Sequence, residues 1–197
     1  MNKKLNALSD LEESIEVKRL LLSDLESNKL LNEICELCVK TYLSGNKILI
    51  AGNGGSAADA QHFAGEMVSR FNFDRPPLSA IALTTDTSIL TAIGNDYGYD
   101  KIFSRQIQAH GHSGDIFFAI STSGNSKNIL EAISVCKEIG IHVIGLSGLS
   151  GGKMKELCEY CICVPSTLTP RIQECHITIE HAICNFVERS LFSSDAP

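Results

Sequence analysis

The fold class is decided by the stretch Lys47-Ile-Leu-Ile-Ala-Gly-Asn-Gly-Gly-Ser56, in which a continuous apolar run ends in a glycine-rich loop. Such a run is typical of a strand that is buried on both faces of a parallel sheet, and a helix is expected from Ser56 to about residue 70. The same alternation recurs along the rest of the chain. It predicts an α/β fold with a five-stranded parallel, doubly wound sheet. The predicted strands span residues 47–51, 78–83, 115–121, 141–146 and 160–164.

The predicted helices organise the chain as a single domain of residues 1–197. Residues 1–45 form a helical hairpin with a break at Ser27-Asn28, because leucine and isoleucine recur there at helical spacings. Residues 46–197 form the α/β core, which ends in one long helix over residues 171–191. A turn is expected at Gly94-Asn95-Asp96-Tyr97-Gly98, between two short helices.

Length and charge exclude several classes of protein. With 197 residues, 44% of them hydrophobic, the chain can bury a core without disulfide support. A net charge of −6 argues against a general nucleic-acid binder, which is usually basic. No apolar run approaches the roughly 20 residues of a membrane-spanning helix, and the polar N-terminus carries no signal-peptide block. We therefore expect a cytoplasmic protein that binds neither nucleic acid nor membrane.

The eight cysteines have two interpretations. The pairs Cys35-x-x-Cys38 and Cys158-x-x-Cys161 have the spacing of zinc-ribbon ligands, but about 120 residues separate them, against the usual 15–20 or so. Cys35 and Cys38 also fit a buried helix face, and Cys161 and Cys163 alternate as one face of a strand would. Reduced thiols that pack as small hydrophobes are the favoured interpretation.

Two loops follow predicted strands, at the edge where parallel sheets bind ligands. The first, residues 51–59, has three glycines in four residues that let a ligand approach the backbone, with Ser56 as the helix cap. It lacks the third glycine of a dinucleotide-binding loop and the lysine of a Walker loop, so we expect no nucleotide; a tight strand-to-helix turn is the alternative. The second, residues 121–126 (Ser-Thr-Ser-Gly-Asn-Ser), places four hydroxyls at a helix start. It predicts a phosphate cradle, with an over-capped helix start as the alternative.

Two predicted helices carry a set of possible metal ligands. His62 and Glu66 are four residues apart and share one face of the helix that follows the first loop. Gln173 and His181, on the last helix, lie about 80° apart around its axis and therefore on one broad side. Two imidazoles, a carboxylate and an amide oxygen suit zinc or a similar metal. Taken alone, the His62–Glu66 pair also fits an ordinary surface pair.

Several motifs together resemble the bacterial phosphoheptose isomerases of the sugar isomerase (SIS) domain superfamily. The hydroxyl loop alone indicates only the superfamily, whereas its combination with the four possible metal ligands is much more specific. The similarity covers almost the whole chain. The motifs are Gly52-Asn-Gly-Gly-Ser-Ala-Ala-Asp-Ala-Gln-His-Phe-Ala-Gly-Glu66, Gly94-Asn-Asp-Tyr-Gly-Tyr99, Phe103-Ser-Arg105, Ser121-Thr-Ser-Gly-Asn-Ser126, Gly151-Gly-Lys-Met154 and Arg171-Ile-Gln-Glu-x-His176, followed by His181.

The resemblance implies an enzyme that converts sedoheptulose 7-phosphate to D-glycero-D-manno-heptose 7-phosphate, the first step toward the heptose of lipopolysaccharide core or capsule. It also implies a flavodoxin-like strand order and a homotetramer with active sites at subunit interfaces. One zinc ion per subunit is implied, with His62, Glu66, Gln173 and His181 as ligands. The implied substrate-binding residues are Asn53, Gly54, Gly55, Ser56, Glu66, Asn95, Asp96, Ser121, Thr122, Ser123, Ser126 and Gln173.

The reaction explains why such residues are needed. Aldose–ketose interconversion moves a proton between adjacent carbons through an enediol or enediolate, and it needs a base, an acid and a group that holds the developing oxyanion. We expect Glu66 to move the C–H proton and His181 to serve the oxygens. Two alternatives are a non-catalytic SIS protein that binds a sugar phosphate or a replication-initiator partner, and another SIS enzyme that acts on amino sugars or on hexose or pentose phosphates. The complete set of four possible ligands favours the heptose isomerase.

Overall fold

All five predicted apolar runs form strands of one parallel sheet in the computed structural model, which describes residues 7–192. The strand order is β2-β1-β3-β4-β5, the flavodoxin-like order. The register pairs Ala51 with Ala119 at the carboxyl ends of β1 and β3. The predicted fold class is therefore confirmed. The strands are β1 (Ile48–Ala51), β2 (Ala80–Ala82), β3 (Ile116–Ile120), β4 (His142–Ser147) and β5 (Tyr160–Cys163).

Helices cover both faces of the sheet. Successive residues of a strand point to opposite faces of the sheet, so the strands contribute to two separate apolar clusters. Ile50 and Phe118 belong to one cluster, which includes Ile34, Phe63 and Cys175. Leu49 and Phe117 belong to the other, which includes Ile107, Ile129 and Met154. The division of the chain at residue 45 stays a prediction. The helices are α1 (Leu8–Ser23), α2 (Leu25–Leu43), α3 (Gly55–Val68), α4 (Thr87–Tyr97), α5 (Ser104–His110), α6 (Lys127–Ile139), α7 (Met154–Leu157) and α8 (Thr169–Phe192), with a 3₁₀ turn at Tyr99–Lys101.

Two predicted boundaries were wrong. The break in the N-terminal hairpin lies at Asp24 rather than at Ser27-Asn28, because the Asp24 carboxylate caps α2 by accepting from the Glu26 N–H (3.2 Å) and the Ser27 hydroxyl (2.6 Å). The expected turn at residues 94–98 is mostly helical. Helix α4 continues through Tyr97 and ends only at Gly98, whose φ of +89° a side chain would rarely adopt.

The cysteine pairs lie in different layers of the fold. Cys35 and Cys38 of α2 are buried against the α8 side of the sheet, while Cys158 and Cys161 pack on the opposite side. No zinc ribbon can join them, so that interpretation was wrong for this chain. Cys161 and Cys163 do share one face of β5, with their Sγ atoms 4.0 Å apart. No helix within residues 7–192 is long and apolar enough to cross a membrane.

The strand order directs attention to one crevice. The chain leaves β1 toward β2 on one side, and β3 lies on the other side, so the topology reverses between β1 and β3. Open parallel sheets bind ligands beyond the carboxyl ends of the strands at such a reversal. The two loops singled out in the sequence follow these two strands.

Candidate active site

The first loop turns the chain from β1 directly into α3. At Gly52 a Cβ atom would lie 2.5 Å from the carbonyl oxygen of Ser56, and Gly54 has a φ of +57°. Helix α3 therefore begins at Gly55, one residue earlier than predicted, with Gly54 as its N-cap. The prediction that Ser56 caps the helix was wrong, since Ser56 is a buried residue within the first turn.

Asn53 belongs to a hydrogen-bonded network that joins the two loops. Its Nδ2 donates to Asn128 Oδ1 (3.0 Å), and its Oδ1 accepts from Asn128 Nδ2 (2.8 Å) and from the Tyr99 hydroxyl (3.0 Å). Asn128 is buried in the first turn of α6, directly after the second loop. The paired amides therefore hold the first loop against the helix that the second loop opens. A cavity of about 120 Å³ lies beside Asn53 and Tyr99.

The hydroxyl loop, residues 121–126, brings three of its four hydroxyls together. Ser121 Oγ lies 3.0 Å from Ser126 Oγ and 3.5 Å from Ser123 Oγ. Ser126 is the N-cap residue of α6, yet its side chain forms no cap hydrogen bond, which argues against the over-capped helix start. Thr122 accepts the Gly148 N–H with its carbonyl oxygen (3.1 Å) and is half-buried. Converging hydroxyls at a helix N-terminus are the groups that a phosphate accepts hydrogen bonds from.

Backbone contacts from residues 151–154 support the hydroxyl loop. A side chain at Gly124, whose φ is +64°, would overlap the Gly151 carbonyl, and a Cβ atom at Gly152 would lie 2.5 Å from the Ser123 carbonyl oxygen. The Met154 N–H donates to the Gly124 carbonyl (3.0 Å). The shape of the loop therefore depends on the position of α7, which Met154 begins.

The possible metal ligands of α3 and α8 meet across the helix interface. His62 Nε2 lies 2.7 Å from His181 Nε2, although 119 residues separate them in sequence, and 3.6 Å from Glu66 Oε1. The two rings meet edge to face at 5.0 Å, and Phe71 packs 5.5 Å from His181. His62 and Glu66 thus belong to a cluster between helices and are more than a surface pair.

Gln173 enters the site beside the first loop. Its Nε2 donates to Asp59 Oδ1 (3.0 Å), a buried carboxylate of α3 whose pKa burial raises. A Cβ atom at Gly55 would lie 2.5 Å from Gln173 Oε1 and 2.7 Å from its Nε2. Glycine at position 55 therefore creates the space that the Gln173 amide occupies.

Asn95 and Asp96 lie apart from this cluster. Both are exposed on the last turn of α4, where Asn95 Nδ2 donates to Asp96 Oδ1 (2.8 Å). They do not line the cavity beside Asn53, although the neighbouring Tyr99 does. The described part of one chain thus brings together the residues of the first loop, α3 and α8, but not this pair.

Comparison with known proteins assigns the chain to a family. A family model for the SIS domain matches residues 15–148. A phosphoheptose isomerase of Aneurinibacillus thermoaerophilus is 61% identical over 93% of both chains, and phosphoheptose isomerase 2 of Campylobacter jejuni is 63% identical over 91% of this chain and 90% of the relative. The chain belongs to the phosphoheptose isomerase family. Among solved structures, the phosphoheptose isomerase of Neisseria gonorrhoeae superposes with a TM-score of 0.86 at 44% identity, over 92% of this chain and 96% of that one.

The side chains of this family member have the donor chemistry for zinc, but they do not enclose it as they stand. Within residues 7–192, no three His, Cys, Asp or Glu side chains already surround one point as a metal site. Two imidazoles on a tetrahedral zinc ion, each about 2.0–2.1 Å from it, would hold their nitrogens about 3.3 Å apart. His62 and His181 are closer, at 2.7 Å, because they share a hydrogen bond. A separation of about 0.6 Å, with loss of the shared proton, would make both nitrogens available to the metal.

Two other ionisable residues of α8, His176 and Glu180, are buried. His176 is buried, its Nε2 lies 3.2 Å from the Ser147 carbonyl oxygen, and burial lowers its pKa to about 4. It is therefore a neutral core residue and no part of the ligand set. Glu180 is fully buried, and burial, with a further effect of Asp59, raises its pKa to about 8.

Sequence reasoning missed the ion pair that ties α3 to α8. Arg75 Nε lies 3.2 Å from Glu188 Oε1, and both side chains are buried. The guanidinium also donates to the carbonyl oxygens of Glu66 (2.9 Å) and Met67 (2.7 Å). Although burial opposes it, hydrogen bonds from the Phe71 and Asn72 N–H groups and from Arg75 hold the pKa of Glu188 below its usual range. The only sequence signal was a Pro-Pro pair directly after Arg75.

Proposed function

We propose that this protein isomerises sedoheptulose 7-phosphate to D-glycero-D-manno-heptose 7-phosphate, the first step toward heptose units of lipopolysaccharide core or capsule. Membership of the phosphoheptose isomerase family supports the reaction. The observation that carries the proposal is the cluster of His62, Glu66 and His181, which joins α8 to α3, the helix that follows the first loop. A sugar phosphate is the substrate class that suits proton-transfer groups and a hydroxyl-rich anion loop in one protein.

The proposed proton-transfer roles are assigned from the chemistry of the residues in the cluster. Glu66 is the carboxylate, and we assign it the transfer of the C–H proton between the two reacting carbons. His181, whose ring is held by the contact with His62, serves the substrate oxygens. Glu66→Gln keeps the shape of the side chain and removes the base, so kcat should fall by about 10²-fold or more. Near-normal turnover by this variant would show that another group moves the proton.

Zinc would be held by His62, Glu66, Gln173 and His181, and when bound it would polarise the substrate carbonyl as a Lewis acid. A carboxylate that ligates a metal is a weaker base than a free one, so ligation and proton transfer compete for Glu66. Metal content measured on Glu66→Ala and His181→Ala separates the two roles. If both variants lose zinc, and their turnover falls no further than that of the unmodified protein stripped of zinc, then both side chains act as ligands.

The hydroxyl loop is proposed to hold the substrate phosphate. Ser121, Ser123 and Ser126 face one another, and Thr122 adds a fourth hydroxyl to the same loop. A phosphate bound far from the reacting carbons orients the substrate without taking part in the chemistry. Asn53, Gly54 and Gly55 are proposed to face the sugar from the first loop.

We also propose a homotetramer whose active sites lie at subunit interfaces. Large apolar side chains of α1 and α2 are exposed, with Leu22 at 74% and Leu25 at 81%. The cavity of about 120 Å³ beside Asn53 is smaller than the roughly 300–1,000 Å³ of typical small-molecule sites, and Asn95 and Asp96 lie outside it. Both observations fit a site that a second subunit completes. Light scattering coupled to size exclusion tests the assembly, and a monomer at micromolar concentration would contradict it.

The decisive experiment is a turnover assay. Purified protein is incubated with sedoheptulose 7-phosphate, and the product is identified by NMR, with and without a chelator and with added zinc. Appearance of an aldoheptose 7-phosphate that a chelator suppresses supports both the reaction and the metal. No product from folded, zinc-supplied protein would favour a non-catalytic protein that binds sugar phosphates. The cytoplasm is the proposed compartment, in keeping with the free state of all eight cysteines.

A further inference from the structure

Three cysteines at the edge of the sheet form a thiol cluster outside the candidate active site. A Cβ atom at Gly145 would lie 2.9 Å from Cys158 Sγ and 3.0 Å from Cys161 Sγ, and Cys161 Sγ lies 4.0 Å from Cys163 Sγ. All three are partly exposed, whereas the other five cysteines are buried. Buried cysteines pack as hydrophobes, but partly exposed thiols in contact with each other are open to chemistry.

The cluster is accessible to small molecules. A cavity of about 220 Å³ is lined by Cys158 together with Lys137, Glu156 and Glu159. Carbon atoms of the Lys155 side chain and Cys163 Sγ would both lie within 3.1 Å of a Cβ atom at Gly151, so Lys155 packs next to the cluster. A hydrogen bond with Cys158 raises the pKa of Cys161 to about 12 against the effect of Lys155, so Cys161 is a thiol at neutral pH. Cys158, which lines the cavity, is therefore the thiol that meets an incoming reagent.

Geometry selects the pair that can form a disulfide. Cys161 and Cys163 are alternate residues of a strand, so their Cα atoms are about 6.6 Å apart and their parallel side chains cannot bring the Cβ atoms to the ~3.8 Å of a disulfide. Cys158 is the C-cap of α7 and Cys161 lies in β5, so the turn at Glu159 lies between them. Their side chains flank one point above Gly145 from two elements. The C-x-x-C spacing is the one that redox-active dithiols use.

We propose that Cys158 and Cys161 form a reversible disulfide by exchange with a small disulfide of the glutathione type. The Cys158 thiolate attacks one sulfur of the small disulfide, which forms a mixed disulfide and releases one small thiolate. The Cys161 sulfur, as its proton leaves to solvent, then attacks the Cys158 sulfur and releases the second small thiolate. The protein loses two electrons and two protons, and the small disulfide is reduced to two thiols.

The disulfide is coupled to the hydroxyl loop through α7. The Cys158 N–H donates to the Met154 carbonyl (3.0 Å), and the Met154 N–H donates to the Gly124 carbonyl (3.0 Å). The Gly151 carbonyl lies so close to Gly124 that position 124 has no space for a side chain. Drawing Cys158 toward Cys161 moves the C-cap residue of α7, and the hydrogen bond from Met154 to Gly124 moves with the helix. This step rests on the proposed role of the hydroxyl loop as the phosphate site.

Peptide mapping tests the disulfide directly. The full-length reduced protein is exchanged with mixtures of oxidised and reduced glutathione, free thiols are alkylated, and tryptic peptides are analysed by mass spectrometry. One tryptic peptide, residues 156–171, contains all three thiols. We expect a single alkyl group on Cys163 after oxidation and three alkyl groups after treatment with dithiothreitol. Three alkyl groups in the oxidised sample, or a single one on Cys158 or Cys161, would overturn the proposal.

Variants separate the disulfide from its effect on the site. Cys163→Ser is the matched control and should still form the bridge, whereas Cys161→Ser should stop at a glutathione adduct on Cys158. Oxidation should raise KM for sedoheptulose 7-phosphate roughly three- to tenfold, which is the effect expected from weakening one hydrogen bond in the loop. Cys161→Ser cannot form the disulfide and should therefore not show the part of this change that depends on it. An unchanged KM with a mapped bridge would refute the coupling. Peptide mapping detects the disulfide whether or not the reduced protein is an isomerase. The absence of the disulfide and the absence of isomerase activity are therefore separate outcomes.

Discussion

The space beside Gly55 gives the sharpest test of the candidate site. In Gly55→Ala the new Cβ atom would lie 2.5 Å from Gln173 Oε1, whereas ordinary contact begins at 3.4 Å, so the amide has to move by 3.4 − 2.5 = 0.9 Å. The contacting atoms are the end of a flexible side chain, and the fold can accommodate the shift. The hydrogen bond to Asp59 is then weakened or lost, which costs about 1–2 kcal/mol of unfolding free energy. A displacement of about 1 Å in a catalytic constellation lowers turnover by about 10²-fold.

Gly65→Ala is the matched control for this substitution. Gly65 lies in the same helix, and a Cβ atom there has no neighbour within 4 Å. Alanine should therefore stabilise α3 by about 0.5–1 kcal/mol and leave turnover unchanged. The assay measures kcat and KM for sedoheptulose 7-phosphate, zinc content, and urea unfolding for both variants. If Gly55→Ala retains kcat within threefold of the unmodified protein, Gln173 has no positioning role, and the reasoning from the space at Gly55 fails.

Three further predictions concern the phosphate end, a buried histidine and the buried ion pair. Ser126→Ala should lower kcat/KM about tenfold or more, mainly through KM, because a hydroxyl donor to an anion is lost; an unchanged KM in steady-state assays would count against the cradle. Because the pKa of His176 is about 4 in the folded protein and 6.5 in an unperturbed histidine, the unfolded chain binds more protons in this window. The unfolding free energy should therefore fall by about 3 kcal/mol as pH drops from 6.5 to 4. Glu180 has the opposite effect on the pH dependence of stability, so the contribution of His176 is taken as the difference in urea-unfolding free energy between the unmodified protein and His176→Asn. Glu188→Gln should lower the unfolding free energy by about 3–5 kcal/mol, since it leaves the Arg75 guanidinium buried without its counter-charge, and a loss below 1 kcal/mol by denaturation would contradict this.

The features that could be predicted from the sequence are local ones. An apolar run such as residues 47–51 is bounded by the glycines that follow it, so the strand and its loop are visible in one short window. His62 and Glu66 share a helix face by spacing alone. The meeting of His62 with His181 followed from family resemblance, because no local pattern brings residues 119 positions apart to within 2.7 Å.

The features that escaped prediction depend on pairs of distant segments. Asn53 and Asn128 are 75 residues apart in sequence, and the residues around each of them give no sign that the two amides pair. The sequence predicts that the glycines of the first loop let a ligand approach the backbone, whereas the structure shows that Gly55 leaves space for the Gln173 amide. A predicted helix boundary was wrong where a different side chain forms the cap: Asp24 caps α2, three residues before the break predicted at Ser27.

Two kinds of contact determine the shape of this site, close backbone approaches at glycines and a buried ion pair. Glycines at positions 52, 55, 124 and 152 allow backbones and amides to approach more closely than any side chain would permit. Such contacts fix distance but contribute little binding energy of their own. The buried pair of Arg75 and Glu188 fixes orientation instead, because the guanidinium holds the carbonyl of Glu66 while its partner belongs to α8. A shift of α3 along α8 would therefore disturb these charged hydrogen bonds as well as the contact between His62 and His181, so the ion pair helps to hold the two helices in the arrangement that the site needs.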